Sequence, residues 1–178
     1  MSSHLQAPWR MQYIRSLAKP ESAGECFLCA AANSTTDEQR RGRLVVWTSA
    51  LSVVVINLFP YTNGHLLVAP KAHKAELEEL SPEEVADVQQ QTIEAVKLLK
   101  RALSPQGFNI GINLGRCAGA GLPGHLHQHV VPRWAGDVNF MTVVGDIRVV
   151  PEAADQLWQE LTRVRAETEP QMNTDEHR

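Results

Sequence analysis

The chain has 178 residues, 43% of them hydrophobic, which is enough for one domain with a sizeable core. A net charge of -3 and a pI near 6.2 leave no basic excess to displace counterions from a nucleic-acid duplex, so a general polyanion binder is disfavoured and a small nucleotide is not. No apolar run approaches the roughly 20 residues of a membrane span, and the first residues lack the basic-then-apolar order of a secretory signal. We therefore expect a cytoplasmic protein with no membrane partner, its three cysteines reduced.

Residues 1–25 read as an irregular arm with an apolar patch at Trp9, Met11, Tyr13 and Ile14. Cys26-Phe27-Leu28-Cys29 follows, a candidate metal or redox pair. A thioredoxin-like use of this pair needs a βαβ unit, and none is visible. By itself the pair is half of a tetrahedral zinc site. Residues 30–43, small and polar, are expected to form an exposed loop. The β-branched runs at 44–48 and 51–57 suggest a hairpin. Turn formers Pro60, Asn63 and Gly64 then lead to a buried strand at 66–70.

One helix is well marked. Ser81 supplies an N-cap, Pro82 the first helical position and Glu84 a capping-box carboxylate. Val85, Val88, Thr92, Val96, Leu99 and Leu103 form its inward stripe. A strand at 108–113 comes next, and a second helix is expected from about Pro151 to Arg165 with Ala154, Leu157, Leu161 and Val164 inward. Residues 170–178 read as a frayed tail. Strands, a long helix, two further strands and a terminal helix imply an α+β domain on an antiparallel sheet.

Between the last strands lies the most informative stretch, GAGLPGHLHQHVVPRW, from Gly119 to Trp134. Three of the seven histidines, His125, His127 and His129, alternate within five residues. On a strand they share one face, each roughly 6.6 Å from the next. The lead-in from 113 to 124 holds four glycines, which let main-chain N–H groups approach an anion. A glycine loop beside imidazoles suits a phosphate ester: the loop holds oxygens, one neutral imidazole attacks phosphorus and another protonates the leaving oxygen. The rival readings are weaker. Decoration of an edge strand does not require the glycines, and residues 6.6 Å apart (roughly, on a flat strand) rarely all reach one ion. A cupin-like motif needs a glutamate where Val131 and Pro132 stand.

HLHQHVV resembles the signature of the histidine triad (HIT) superfamily, whose intervening positions are typically hydrophobic. VINLFPYTNGHLLVAPKAH (55–73) resembles its strand–turn–strand element, and GFNIGINLGRCAGAG (107–121) the strand and loop before the triad. APWRMQYI, CFLC and WAGDVNFM resemble a bacterial branch that includes diadenosine tetraphosphate phosphorylase-like proteins. The likeness runs from Ala7 to about Val150.

This resemblance implies a HIT-like fold and divides the chain into an arm (1–43), a HIT domain (44–150) and a C-terminal helix and tail (151–178). It implies that His127 attacks the α-phosphate of a nucleoside polyphosphate, giving a nucleotidyl-histidine, and that His129 contacts phosphate and the bridging oxygen. Asn57 matches a ribose-binding position, His65 a support of the nucleophile strand, and Asn113 a residue reaching phosphate or ribose. Gly119 and Gly121 belong to the nucleotide loop. Many hydrolase-type members carry glutamine where Gly121 stands, which shifts weight towards phosphorolysis. A glutamine in place of His129 would mark the uridylyltransferase branch, from which this chain departs. Val55, Leu58 and Phe59 would border the base. Arg116 and Arg133 are cations for a polyphosphate or an incoming phosphate, or else solvated surface.

The resemblance also completes a Cys2His2 zinc site, with His73 and His125 joining Cys26 and Cys29. Such a closed site is structural. Cys117 receives no role. A homodimer is implied. A nucleoside phosphoramidate hydrolase and a nucleotide-binding sensor with little turnover stand as alternative functions.

Overall fold

The structure, a computed structural model, describes residues 26–137 and 153–168. The patch at Trp9–Ile14, the start of the last helix at Pro151 and the tail lie outside the described residues. Two short helices come first, α1 (Phe27–Ala32) and α2 (Asp37–Gly42), where an exposed loop was expected over 30–43. The polar composition conceals helix ends that satisfy themselves. Thr36 accepts from the Gln39 N–H while the Gln39 side chain accepts from the Thr36 N–H. Asp37 and Glu38 occupy the first turn of α2, and Arg40 and Arg41 its last, matching the helix dipole. Alanines at 30–32 favour helix in α1, which buries Leu28, Ala30 and Ala31.

The five strands among the described residues are β1 (Val45–Thr48), β2 (Ser52–Ile56), β3 (Leu66–Pro70), β4 (Gly107–Ile112) and β5 (Gln128–Arg133). They form one antiparallel sheet in the order β1-β2-β3-β5-β4. The hairpin expected from the first two runs is present, with an irregularity between Val45 and Trp47. Strand alternation splits the buried residues into two layers. On one face Val46, Val54, Ile56, Leu66, Val68 and Val130 pack against helices α3 (Pro82–Leu103) and α4 (Ala154–Ala166). On the other, Val45, Val53, Val55, Leu67 and Ala69 pack against Leu28 and Ala31 of α1.

Helix α3 starts with the expected capping box at Ser81 and Glu84. Its buried stripe is Val88, Thr92, Ala95, Leu98 and Leu99, with Val96 and Leu103 partly covered. Val85 is exposed, contrary to expectation. In that first turn Glu84 faces inward instead, its carboxylate 2.6 Å from the Lys74 ammonium. Helix α4 buries Leu157, Leu161 and Val164 as expected. Gly64, at φ +77, sits where a Cβ would lie 2.5 Å from Leu103 and 3.1 Å from Pro132. Glycine alone therefore lets the turn before β3 press onto α3 and β5.

Candidate active site and metal centre

Helix α1 covers only part of the second sheet face. Beyond it, the same face carries Asn57 at the end of β2, His65 ahead of β3, His129 on β5 and Asn113 after β4. Their side chains form a row across four neighbouring strands, and hydrogen bonds along it fix the protons. The Tyr61 main-chain N–H donates to His65 Nδ1 at 3.1 Å. The Asn57 amide, oriented because its oxygen accepts from the Phe59 N–H, donates to the same nitrogen at 3.2 Å. His65 Nδ1 is thus an acceptor, so Nε2 carries the hydrogen and donates to His129 Nδ1 at 2.9 Å. His129 must then hold its own hydrogen on Nε2. The Asn113 side-chain amide nitrogen lies 3.4 Å from that ring nitrogen.

His127 is fixed differently. Its Nδ1–H donates to the His125 carbonyl at 2.8 Å, which leaves the Nε2 lone pair available. The His127 and His129 rings stand 5.0 Å apart at 68°. A bare lone pair and a ring N–H donor therefore adjoin each other. Burial pushes the His127 pKa below the ordinary imidazole range, and pushes His129 down to about 4 with a smaller contribution from the neighbouring His127. Both rings are neutral at pH 7.

The triad does not begin on a strand as expected. β5 starts at Gln128, and the Leu126 N–H leaves the sheet to donate to the Lys74 carbonyl at 2.7 Å. His125 and His127 occupy this extended lead-in, so the three imidazoles divide their work. The fully buried His125 turns to the cysteines. Its Nε2–H donates to the Pro70 carbonyl at 2.8 Å, leaving Nδ1 to face Cys26 Sγ at 3.3 Å and Cys29 Sγ at 3.5 Å. His73 Nδ1 lies 3.2 Å from Cys29 Sγ. All four ligand atoms fall within 4.8 Å of one another. A tetrahedral ion with bonds of about 2.3 Å to sulfur and 2.0 Å to nitrogen holds such atoms roughly 3.5 Å apart. The cluster fits a metal ion.

Other expected residues are placed less directly. In the loop, Gly115 and Gly119 take positive φ, Arg116–Ala118 form a single 3-10 turn, and exposed Gly121 has open space where a side chain would project. Arg116 is exposed. Arg133 is not brought to the histidines. It lies four residues beyond His129, roughly 13 Å along the strand, where Asp137 grips its guanidinium bidentately and Asn109 accepts at 2.7 Å. The ion pair holds Asp137 down to about 2. Val55 is buried beneath α1 and lines no open surface, whereas Leu58 and Phe59 are 65% and 82% exposed.

Two contributors were missed in the sequence. Tyr61, read only as part of a turn, lays its ring over both imidazoles, 4.7 Å from His65 and 5.7 Å from His129 between centroids. Its position four residues before His65, in a turn folding back on the strand, was the available signal. Gln128, which stands between two of the histidines, turns to the helical face. It donates to Thr92 Oγ1 at 2.9 Å, and Thr92 donates on to the Val88 carbonyl.

Residues 39–136 match the sequence profile of the HIT domain. The chain is 40% identical over 152 residues to the AP-4-A phosphorylase of Mycobacterium tuberculosis, covering 83% of this chain and 76% of that protein. It is 36% identical over 85 residues to the adenosine 5'-monophosphoramidase of Schizosaccharomyces pombe, 48% of this chain and 60% of that one. Among solved structures, a Zn-bound histidine triad family protein from Mycobacterium smegmatis matches with a TM-score of 0.62 and 26% identity, over 80% of this chain and 94% of the other. An antiparallel α+β fold with a neutral histidine pair on its free face defines a nucleotide-processing class of enzymes. The chain belongs to the HIT family.

Proposed function

We propose that the protein cleaves dinucleoside polyphosphates of the diadenosine tetraphosphate kind, with inorganic phosphate as the acceptor. The observation that carries this reading is the proton arrangement: His127 keeps its hydrogen on Nδ1 and offers Nε2, while His129 offers an Nε2–H beside it. Nε2 of His127 attacks the α-phosphorus, and the bond to the bridging oxygen breaks. His129 donates a hydrogen bond to that oxygen as charge develops on it, and the nucleoside triphosphate departs. Phosphate then attacks the nucleotidyl-histidine, releasing a nucleoside diphosphate and restoring the ring. The Asn113 amide and the main chain at Gly121 would supply donors to the phosphoryl oxygens, with Gly119 shaping the loop at positive φ. Asn57 reaches the ribose, and Arg116, exposed in the glycine-rich loop, is the cation for the phosphate chain. The AP-4-A phosphorylase relative supports the choice of substrate and acceptor. The second reading, phosphoramidate hydrolysis, is favoured by the monophosphoramidase relative.

Cys26, Cys29, His73 and His125 would hold zinc as a closed, structural site that leaves no position for water. It pins α1 to the triad segment. We also propose a cytoplasmic homodimer that binds no nucleic-acid duplex. Its supporting feature is β4, a sheet-edge strand whose Ile110 is 48% exposed.

Mass analysis of products from diadenosine tetraphosphate with isotopically labelled phosphate tests the activity, with His127→Asn as the blank. Labelled ADP plus ATP, absent without phosphate and absent in the variant, is expected. AMP plus ATP regardless of phosphate would make the protein a hydrolase. No turnover would return the phosphoramidate and sensor readings.

A further inference from the structure

We infer that the metal centre sets the proton position on the nucleophile: an ion bound by His73 and His125 locks the one peptide unit whose carbonyl holds the His127 Nδ1–H. This rests on the reading of His127 as nucleophile and of zinc as the resident ion. The His125 carbonyl and the Leu126 N–H belong to the same planar trans unit and point in opposite directions. The N–H donates to the Lys74 carbonyl at 2.7 Å, one residue from the ligand His73. The carbonyl accepts from His127 at 2.8 Å. The Cα on the other side of the same unit bears the ligand His125, whose ring is held at both nitrogens, by the Pro70 carbonyl and by the cysteine pair.

An ion joining His73 to His125 therefore fixes both edges of this peptide. Rotating the carbonyl away from His127 would require breaking the Leu126–Lys74 bond or dragging a ligand off the metal. Without the ion, the ring of His125 keeps its bond to Pro70 and its contacts with the cysteine thiols, but no coordinate bond ties it to His73. The peptide is then free to turn, and the His127 hydrogen is shared between both ring nitrogens. Some molecules then present Nε2–H, which cannot attack phosphorus. The His65–His129 pair has a separate origin, because its protons are dictated by the Tyr61 main-chain N–H, which lies in the turn before β3. Metal loss thus alters one histidine of the site and spares two.

The test is long-range proton–nitrogen NMR correlation of the histidine rings in the full-length protein, which reports which nitrogen of each ring carries hydrogen. Spectra are taken with zinc, after stripping by chelator, and after zinc is restored, with zinc content measured at each stage. We expect His127 to show a single Nδ1–H form when loaded and a mixture when stripped, recovering with zinc, while His65 and His129 keep their patterns throughout. Cys29→Ala, which deletes one ligand, should reproduce the stripped spectrum. An unchanged His127 in protein shown to be free of metal would overturn the inference. So would a collective change of all three rings, because the ion would then hold the fold rather than the nucleophile, and so would failure to bind zinc. No substrate enters this measurement, so failure of the proposed activity is read separately from the product analysis.

Discussion

At the scale of single residues, burial keeps the His127 and His129 imidazoles neutral at pH 7 and hydrogen bonds fix their protons. His129 receives its orientation from His65, so His65→Leu should leave His129 Nδ1 without its donor and blur the tautomer. The expected loss in kcat is on the order of 10²-fold, the contribution of one well-placed proton donor, with KM little changed in steady-state assays. The depressed pKa of His129 also makes stability depend on pH. Its folded value is about 4 and the ordinary value 6.5, so below 6.5 the unfolded chain takes up the proton first. Stability should therefore fall as the pH drops from about 6.5 towards 4. After allowance for solvent screening the loss is about 1–2 kcal/mol. Urea denaturation across that window should show a steeper decline in the native protein than in His129→Asn. The juxtaposition of His127 and His129 was legible from their alternating spacing. Their proton placement was not, because it depends on the Tyr61 main-chain N–H and the His125 carbonyl, groups that every residue possesses. The overlying Tyr61 ring was missed for a related reason: a tyrosine between Pro60 and Gly64 reads as turn filler until the turn folds back onto His65 and His129.

At the scale of elements, the long helix and the β1–β2 hairpin were readable because their patterns are local. Ser81, Pro82 and Glu84 announce α3 through adjacent chemistry, and Ser81→Ala should cost about 1 kcal/mol in chemical denaturation. Helices α1 and α2 were hidden because neither presents an apolar stripe long enough to notice. α1 is a single short run whose Leu28 and Ala31 meet the sheet, and α2 buries nothing. Val85 misled for the opposite reason: it fits the helical period but lies in the first turn, where Glu84 turns in to meet Lys74 instead. The turn before β3 carries its own constraint. Gly64→Ala forces a side chain into left-handed backbone against Leu103, and should destabilise by about 1–2 kcal/mol in thermal or urea unfolding. Because His65 follows directly, activity should fall in that variant even below its melting temperature.

At the scale of the whole molecule, the sheet is asymmetric. Its β1 end is clasped by helices on both faces, while among the described residues its β4 end is an edge with Ile110 exposed. If two copies join there, Ile110→Lys should shift the sedimentation profile from dimer to monomer without altering the far-UV circular dichroism of either. The clasp at the other end comes from α4. Trp158 donates its indole N–H to the Val45 carbonyl at 2.8 Å, Arg165 stacks on Trp47 at 4.5 Å, and Arg41 forks onto Asp155. The first described strand of the sheet is thereby completed by α4, 113 residues later in the Val45–Trp158 bond. During synthesis, then, every strand leaves the ribosome before Leu157, Leu161 and Val164 exist to cover Val46 and Trp47. The growing chain must carry that bare apolar flank until α4 has been made, and a fragment ending at residue 137 would carry it permanently. Such a fragment contains the whole histidine triad, yet it should bind hydrophobic dyes and aggregate, with the triad intact in sequence and its scaffold unfinished.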